Sequence, residues 1–223
     1  MTQISEPNSP KEKENNLSAE NGFNDWANRY DQDIWTGKKK GYPFEGYFDT
    51  LRYIQQEVIL GKAKTVLDIG IGTGMLSQVL YLNGIQITGI DFSKKMLDMA
   101  KAKMPNAQLV QFDFNKGLPS IIETEQFDFI VSSYAFHHIH DIRKINLFKK
   151  LIRNLKAKGT MLIGDIAFKT KRDMQIVKEQ SPDWDDAEYY FVAEKIIRDL
   201  ALHELRAKFV KISSCSGVLE IRK

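Results

Sequence analysis

A chain of 223 residues can bury a full core, and one catalytic-sized domain is expected. Its 43% apolar and 27% charged residues are ordinary for a soluble globular protein, and no window approaches the unbroken apolar length of a membrane span. A net charge of +3 is too small to point to nucleic acid, MTQISEPNSP shows neither the basic nor the apolar region of a signal peptide, and the lone Cys215 excludes an intrachain disulfide or thiolate cluster, which fits the cytoplasm.

Residues 1–22 are rich in Asn, Glu, Lys, Ser and Pro, and a segment so poor in large apolar groups reads as a disordered tail. Residues 23–62 read as an N-terminal helical cap. Phe23, Trp26, Ala27 and Tyr30 follow helical spacing, and Trp35, Tyr42, Phe44, Tyr47 and Phe48 add to the aromatic load. These rings either pack the cap onto the body or close over a pocket, and a polar loop over 36–41 would let them move. Lys38, Lys39 and Lys40 within it read as solvated. A second helix is predicted over 44–60, ending near Gly61.

The domain over 63–223 begins with a strand at 65–69. It stops at Gly70, Gly72 and Gly74, and a helix over 75–83 follows at once. Glycine permits positive φ and close approach of a ligand to the backbone, while the helix start offers unpaired N–H groups. A strand over 86–90 ends at Asp91, and Ser93 caps a helix running to Lys103. Strands are predicted over 107–112, 127–132 and 160–164, with a helix over 142–155 between the last two. A polar connection over 169–188 leads to a helix over 192–203. Two strands over 206–213 and 218–222, joined by a turn over 214–217, must pair antiparallel. Strand–helix alternation before them implies a parallel sheet with helices on both faces.

In such a sheet the ligand lies at the carboxyl ends of the strands. Asp68 and the glycine turn, Asp91, Asp113 with Phe114, and Ser132 through His138 all fall at these ends. A carboxylate at position 91 can accept from both hydroxyls of a ribose, while Asp113 offers an acceptor for an exocyclic amine and Phe114 a flat surface beside a base. Together they point to an adenosine site, with Phe92 and Met96 beside it.

VLDIGIGTG, GIDFS, LVQFDF and FDFIVSSYAFHHI, in this order, resemble the motifs of class I S-adenosylmethionine-dependent methyltransferases. The resemblance runs from about Phe23 to the C-terminus. It implies a Rossmann-like seven-stranded sheet of order 3-2-1-4-5-7-6 whose last hairpin is antiparallel. It also implies that Asp68 and the glycine turn face the methionine part of S-adenosylmethionine, Asp91 the ribose and Asp113 the adenine amine. The segment Trp26-Ala27-Asn28-Arg29-Tyr30-Asp31 resembles the WA..YD segment of bacterial small-molecule methyltransferases, which places Tyr30 over the cofactor. The chain is most similar to uncharacterised bacterial members of that group.

Two competing readings are a catalytically silent binder of the same cofactor and a nicotinamide-dependent Rossmann enzyme. The latter's G-x-G-x-x-G needs glycine or alanine where Met75 stands. The expected reaction is in-line methyl transfer to O, N or S of a small molecule. His137 and His138, after the fourth strand, are the candidate catalytic residues: a base for a protonated acceptor, or groups that orient the loop. No metal is expected, because His137, His138 and His140 without a carboxylate cluster make poor ligand spacing. Asp165 either touches substrate or caps the sheet. The partner is a small-molecule acceptor, with no nucleic acid or membrane, and the chain a monomer or homodimer.

Overall fold

The computed structural model describes residues 41–223. The expected tail, the first aromatic helix with Trp26 and Tyr30, Trp35 and the three consecutive lysines lie outside the described residues.

Eight strands make one mixed sheet: β1 (Thr65–Ile69), β2 (Gln86–Asp91), β3 (Gln108–Gln111), β4 (Phe127–Ser133), β5 (Leu155–Phe168), β6 (Phe191–Val192), β7 (Arg206–Lys211) and β8 (Ser216–Arg222). Its order is β3-β2-β1-β4-β5-β8-β7, with β6 pairing β5 off that path. The one departure from the seven-stranded expectation is β6, whose two residues pair in parallel through Ala167↔Phe191 and Phe168↔Val192. Without it the order is the expected one. The β5–β8 and β7–β8 pairs are antiparallel, and the rest are parallel.

The helices are α1 (Tyr47–Leu60), α2 (Met75–Leu82), α3 (Lys94–Lys103), α4 (Ser120–Glu123), α5 (Asp141–Leu151), α6 (Lys171–Gln180) and α7 (Ala193–Ala201). Successive strand residues point to opposite faces, so a strand apolar at every position needs cover on both sides. Val66 of β1, Leu162 of β5 and Val218 of β8 join a core with Leu51 and Ile54 of α1, Leu76 and Leu80 of α2 and Ala100 of α3. Their neighbours Leu67, Ile163 and Leu219 face the other way, toward Phe148 of α5 and Ile196 of α7. The sheet is thereby sandwiched, and its carboxyl edge between β1 and β4 is left for a site.

Several boundaries differ from expectation. The helix predicted to 155 ends at Leu151, a single 3-10 turn covers Ile152–Asn154, and Leu155 already belongs to β5. β5 is far longer than 160–164 because Leu155 pairs Phe127 before a register shift, and residues beyond Gly164 pair β8. The 169–188 connection contains α6, started by a capping box in which Thr170 Oγ1 accepts from the Asp173 amide and Asp173 accepts from the Thr170 amide. Only Val177 of that helix is buried, so its apolar period is faint. The last turn spans 212–215 rather than 214–217, since Ser216 and Gly217 already pair. No helix among the described residues is long and apolar enough to cross a membrane.

Replacing Thr170 by Ala removes the cap and is expected to cost about 1 kcal/mol, lowering the melting temperature by about 2–4 °C in a thermal scan. A Cβ on Gly164 would stand 2.5 Å from the Thr50 methyl and 2.8 Å from Ile54 Cδ1, where α1 crosses β5. Gly164→Ala is therefore expected to destabilise the fold by about 1–3 kcal/mol in urea unfolding.

Candidate functional site

The turn between β1 and α2 holds three glycines at positive φ: Gly70 at 71°, Gly72 at 53° and Gly74 at 82°. At Gly70 a Cβ would sit 2.5 Å from the Ala135 Cβ, and at Gly74 2.7 Å from Met104 Cε. Among the described residues nothing stands within 4 Å of a Cβ at Gly72. The tip of β2 holds this turn in place. Ile90 O accepts from the amides of Gly70 at 2.8 Å and Ile71 at 3.0 Å, and Asp91 Oδ2 accepts from the Gly72 amide at 2.9 Å.

Two buried carboxylates flank the turn. Asp68 Oδ2 accepts from Ser77 Oγ at 2.6 Å, while Oδ1, equally buried, has no partner among the described residues. Burial pushes the Asp68 carboxyl up to about 7, with the Ser77 hydrogen bond opposing and the charge of Asp91 adding to it. Asp91 Oδ1 also accepts from the Ser93 amide, and burial outweighs its hydrogen bonds to bring it to about 6. Ser132 Oγ donates to Ile69 O at 2.6 Å, which ties the tips of β4 and β1 together.

The remaining expected cofactor residues surround this centre. Asp113 caps a single 3-10 turn, its Oδ1 accepting from the Asn115 amide at 3.0 Å, with Lys116 Nζ 3.6 Å from Oδ2. Phe114 is buried, its ring 3.5 Å from where a Gly70 Cβ would lie and stacked on Phe136 at 5.8 Å. Met96 is buried on α3, its amide bonded to Ser93 Oγ, and the Phe92 carbonyl accepts from Gln111 Nε2. Tyr30 lies outside the described residues.

Beyond β4 lies a cavity of about 280 Å³, lined in part by Tyr42, Tyr134, His137, His138, Glu188 and Tyr190. Asp165, at the far end of β5, is fully buried and locks the loop after β4. Its Oδ2 accepts from the amides of Phe136 at 2.8 Å and His137 at 3.1 Å, and its Oδ1 meets His137 Nδ1 at 2.5 Å. Burial alone would push the imidazole of His137 down, but Asp165's charge and hydrogen bond outweigh it and hold the ring above its ordinary value. Asp165 in turn is held below the carboxylate range despite burial, through His137 and Lys144. His138 Nδ1 lies 2.9 Å from Glu188 Oε1. His140 stands apart from the pair, capping α5 and set edge-on to Tyr189.

Sequence reading placed Tyr42 in an aromatic cap but missed Trp184, Glu188 and Tyr190 on the far wall of this cavity. Tyr42 and Tyr190 share a short hydroxyl–hydroxyl bond, Tyr190 also donates to Asp185 O at 2.9 Å, and Trp184 stacks on Tyr42 at 4.8 Å. The wall is docked by the Tyr189 amide, which donates to His137 O at 2.8 Å. Tyr134 was legible within FDFIVSSYAFHHI, but Glu188 and Tyr190 sit in a stretch with no motif.

The arrangement has an open backbone at the turn and a cavity with room for a small molecule beyond β4. The partnerless oxygen of Asp68, beside a backbone open at Gly72, fits a ligand carrying a cation or N–H donors. Residues 66–159 match the model of a methyltransferase domain. An uncharacterised methyltransferase of Oceanobacillus iheyensis is 37% identical over 153 residues, covering 69% of each chain. Among solved structures, magnesium protoporphyrin IX methyltransferase from Synechocystis with bound SAH aligns with a TM-score of 0.72 at 17% identity, over 93% of this chain and 100% of that one. The structure titled DhpI-SAM-HEP complex aligns at 0.69 and 16% identity, over 97% and 100%. With a third of its residues shared over two thirds of a bacterial methyltransferase, and the strand order of that fold, the chain belongs to the class I S-adenosylmethionine-dependent methyltransferases.

Proposed function

We propose that this protein transfers a methyl group from S-adenosylmethionine to O, N or S of a small molecule held in the cavity beyond β4, and that it works in the cytoplasm. The observation that carries this reading is the buried, partnerless oxygen of Asp68 beside the glycine turn. Such a group costs the ligand-free fold about 1–3 kcal/mol unless a donor or cation meets it. When bound, S-adenosylmethionine supplies an electrophilic methyl on a sulfonium and a cationic amino group.

In this reading Asp68 and the open backbone of the turn through Gly70, Gly72 and Gly74 border the methionine part. Asp91 keeps two amide hydrogen bonds and has lone pairs left for the ribose hydroxyls. Asp113 takes the adenine amine, while Phe92, Met96 and Phe114 frame the base. Ser132 keeps the two strand tips in register, and Tyr30 closes over the cofactor from the cap over 23–62. The domain over 63–223 does the chemistry, and 1–22 is a tail. The family relationship and the structural neighbours solved with the cofactor or its product support these roles.

His137 and His138 act at the acceptor end. Asp165 engages Nδ1 of His137, so the other ring nitrogen is the one left for the cavity. The Tyr42, Trp184 and Tyr190 wall excludes water, which would otherwise compete with the acceptor.

Methyl release from labelled S-adenosylmethionine across a panel of small hydroxyls, thiols and amines tests the proposal, and at least one acceptor should be consumed. Tight cofactor binding with no acceptor ever consumed would instead favour a silent binder. Asp91→Asn is expected to weaken cofactor binding by about 1–3 kcal/mol in calorimetry, and an unchanged affinity would remove the ribose assignment. Asp68 titrates at about 7 and Asp91 at about 6, and a cationic ligand favours both as carboxylates. Cofactor affinity should therefore fall as pH drops from above 7 to below 6, and Asp68→Asn should flatten the upper part of that curve.

A further inference from the structure

We propose that His137, His138 and Glu188 bind one divalent transition-metal cation of the zinc type at the acceptor cavity. One ligand atom from each lies within 4.8 Å of those of the other two. Ligands about 2.0–2.2 Å from a zinc-type ion stand a little over 3 Å apart, so a small rotation of the half-buried Glu188 and the exposed His138 completes the set. Two imidazoles and one carboxylate with a position left open form the donor set of a reactive rather than a structural site. The open position faces a cavity large enough for a small acceptor.

A second observation is the way His137 is held. Its Nδ1 meets the buried Asp165, which fixes the ring and raises the electron-donating power of the other nitrogen, as carboxylates behind metal-binding histidines do. The surroundings also suit a cation. Asp183 and Asp185 line the same cavity as Glu188. Lys144, whose charge is felt at His137, is occupied by Asp141 and by the Tyr189 carbonyl. In sequence, His137, His138 and His140 lack a carboxylate and give no reason to expect a metal; Glu188, fifty residues beyond His138, supplies one.

What the cation does there rests on the proposed methyl transfer; its binding does not. An acceptor hydroxyl or thiol at the open position releases its proton to solvent. The lone pair thus exposed forms the new bond to the methyl carbon as that carbon's bond to sulfur breaks, and the bonding pair stays on sulfur as a neutral thioether.

The full chain, stripped with a chelator, is titrated with Zn²⁺ by calorimetry and with Co²⁺ by visible absorption. One cation per chain is expected. Glu188→Gln and His138→Ala should weaken it by about tenfold or more, the scale on which even supporting groups act. His140→Ala should leave it unchanged, and circular dichroism and cofactor affinity confirm that each variant is folded. Absence of saturable binding overturns the site, as does equal affinity in Glu188→Gln and His138→Ala, or an equal loss in His140→Ala. Metal binding without cofactor binding would remove the methyl-transfer reading while keeping the site. Full transfer by the metal-stripped enzyme would overturn the cation's part in the reaction.

Discussion

The structure depends on one constraint, a β1–α2 turn that must run through three left-handed residues while its amides are held by the neighbouring strand. Gly70, Ile71 and Gly72 all donate to the tip of β2. Those bonds form only if β2 lies in register beside β1, and Asp68↔Gly89 and Ile69↔Ile90 are the pairs that ensure it. Side chains at Gly70 or Gly74 would collide with Ala135 or Met104, so the loop after β4 and the helix after β2 both close onto the same bend. Cofactor geometry and sheet register are thus one problem with one solution.

The same bend concentrates an electrostatic tension. Asp68 and Asp91 are both nearly dry, each disfavours ionisation through burial, and the charge of one raises the other. Ser77, Ser93 and the Gly72 amide offset part of this. The remainder, centred on the oxygen of Asp68 that has no partner among the described residues, is relieved when a donor or a cation meets it. A site that is strained when empty and relaxed when filled gives binding energy without asking the fold to move.

The parts legible from sequence are those whose cause is local. The strand Thr65–Ile69 was read to the residue because a β-branched apolar run meets glycine, and α3 because Ser93 precedes a helical stripe. The Thr170–Asp173 box was equally local but was hidden by a helix burying a single apolar side chain. β5 overran its predicted length because its outer parts are strand only by virtue of Phe127 and β8, partners remote in sequence. Asp165 could not be assigned beforehand for the same reason. It is a lone acid after an apolar strand until the fold sets it under the amides of Phe136 and His137.

This division follows the two halves of the site as proposed, a cofactor half and an acceptor half. The cofactor half is written into consecutive residues, since a turn and a helix start can be specified by a few neighbours. The acceptor half is assembled across distance: Asp165 under His137, Glu188 on His138, Tyr42 on Tyr190. Its outer wall joins the loop after β4 through the Tyr189 amide and joins α5 through the Tyr189 carbonyl, which accepts from Lys144, with Tyr42 and Trp184 sealing it. Residues on that wall can change without disturbing the glycine bend, because none of the bonds holding the bend passes through them. The two proposed halves meet at the far end of β5, where Asp165 accepts from the amides of Phe136 and His137.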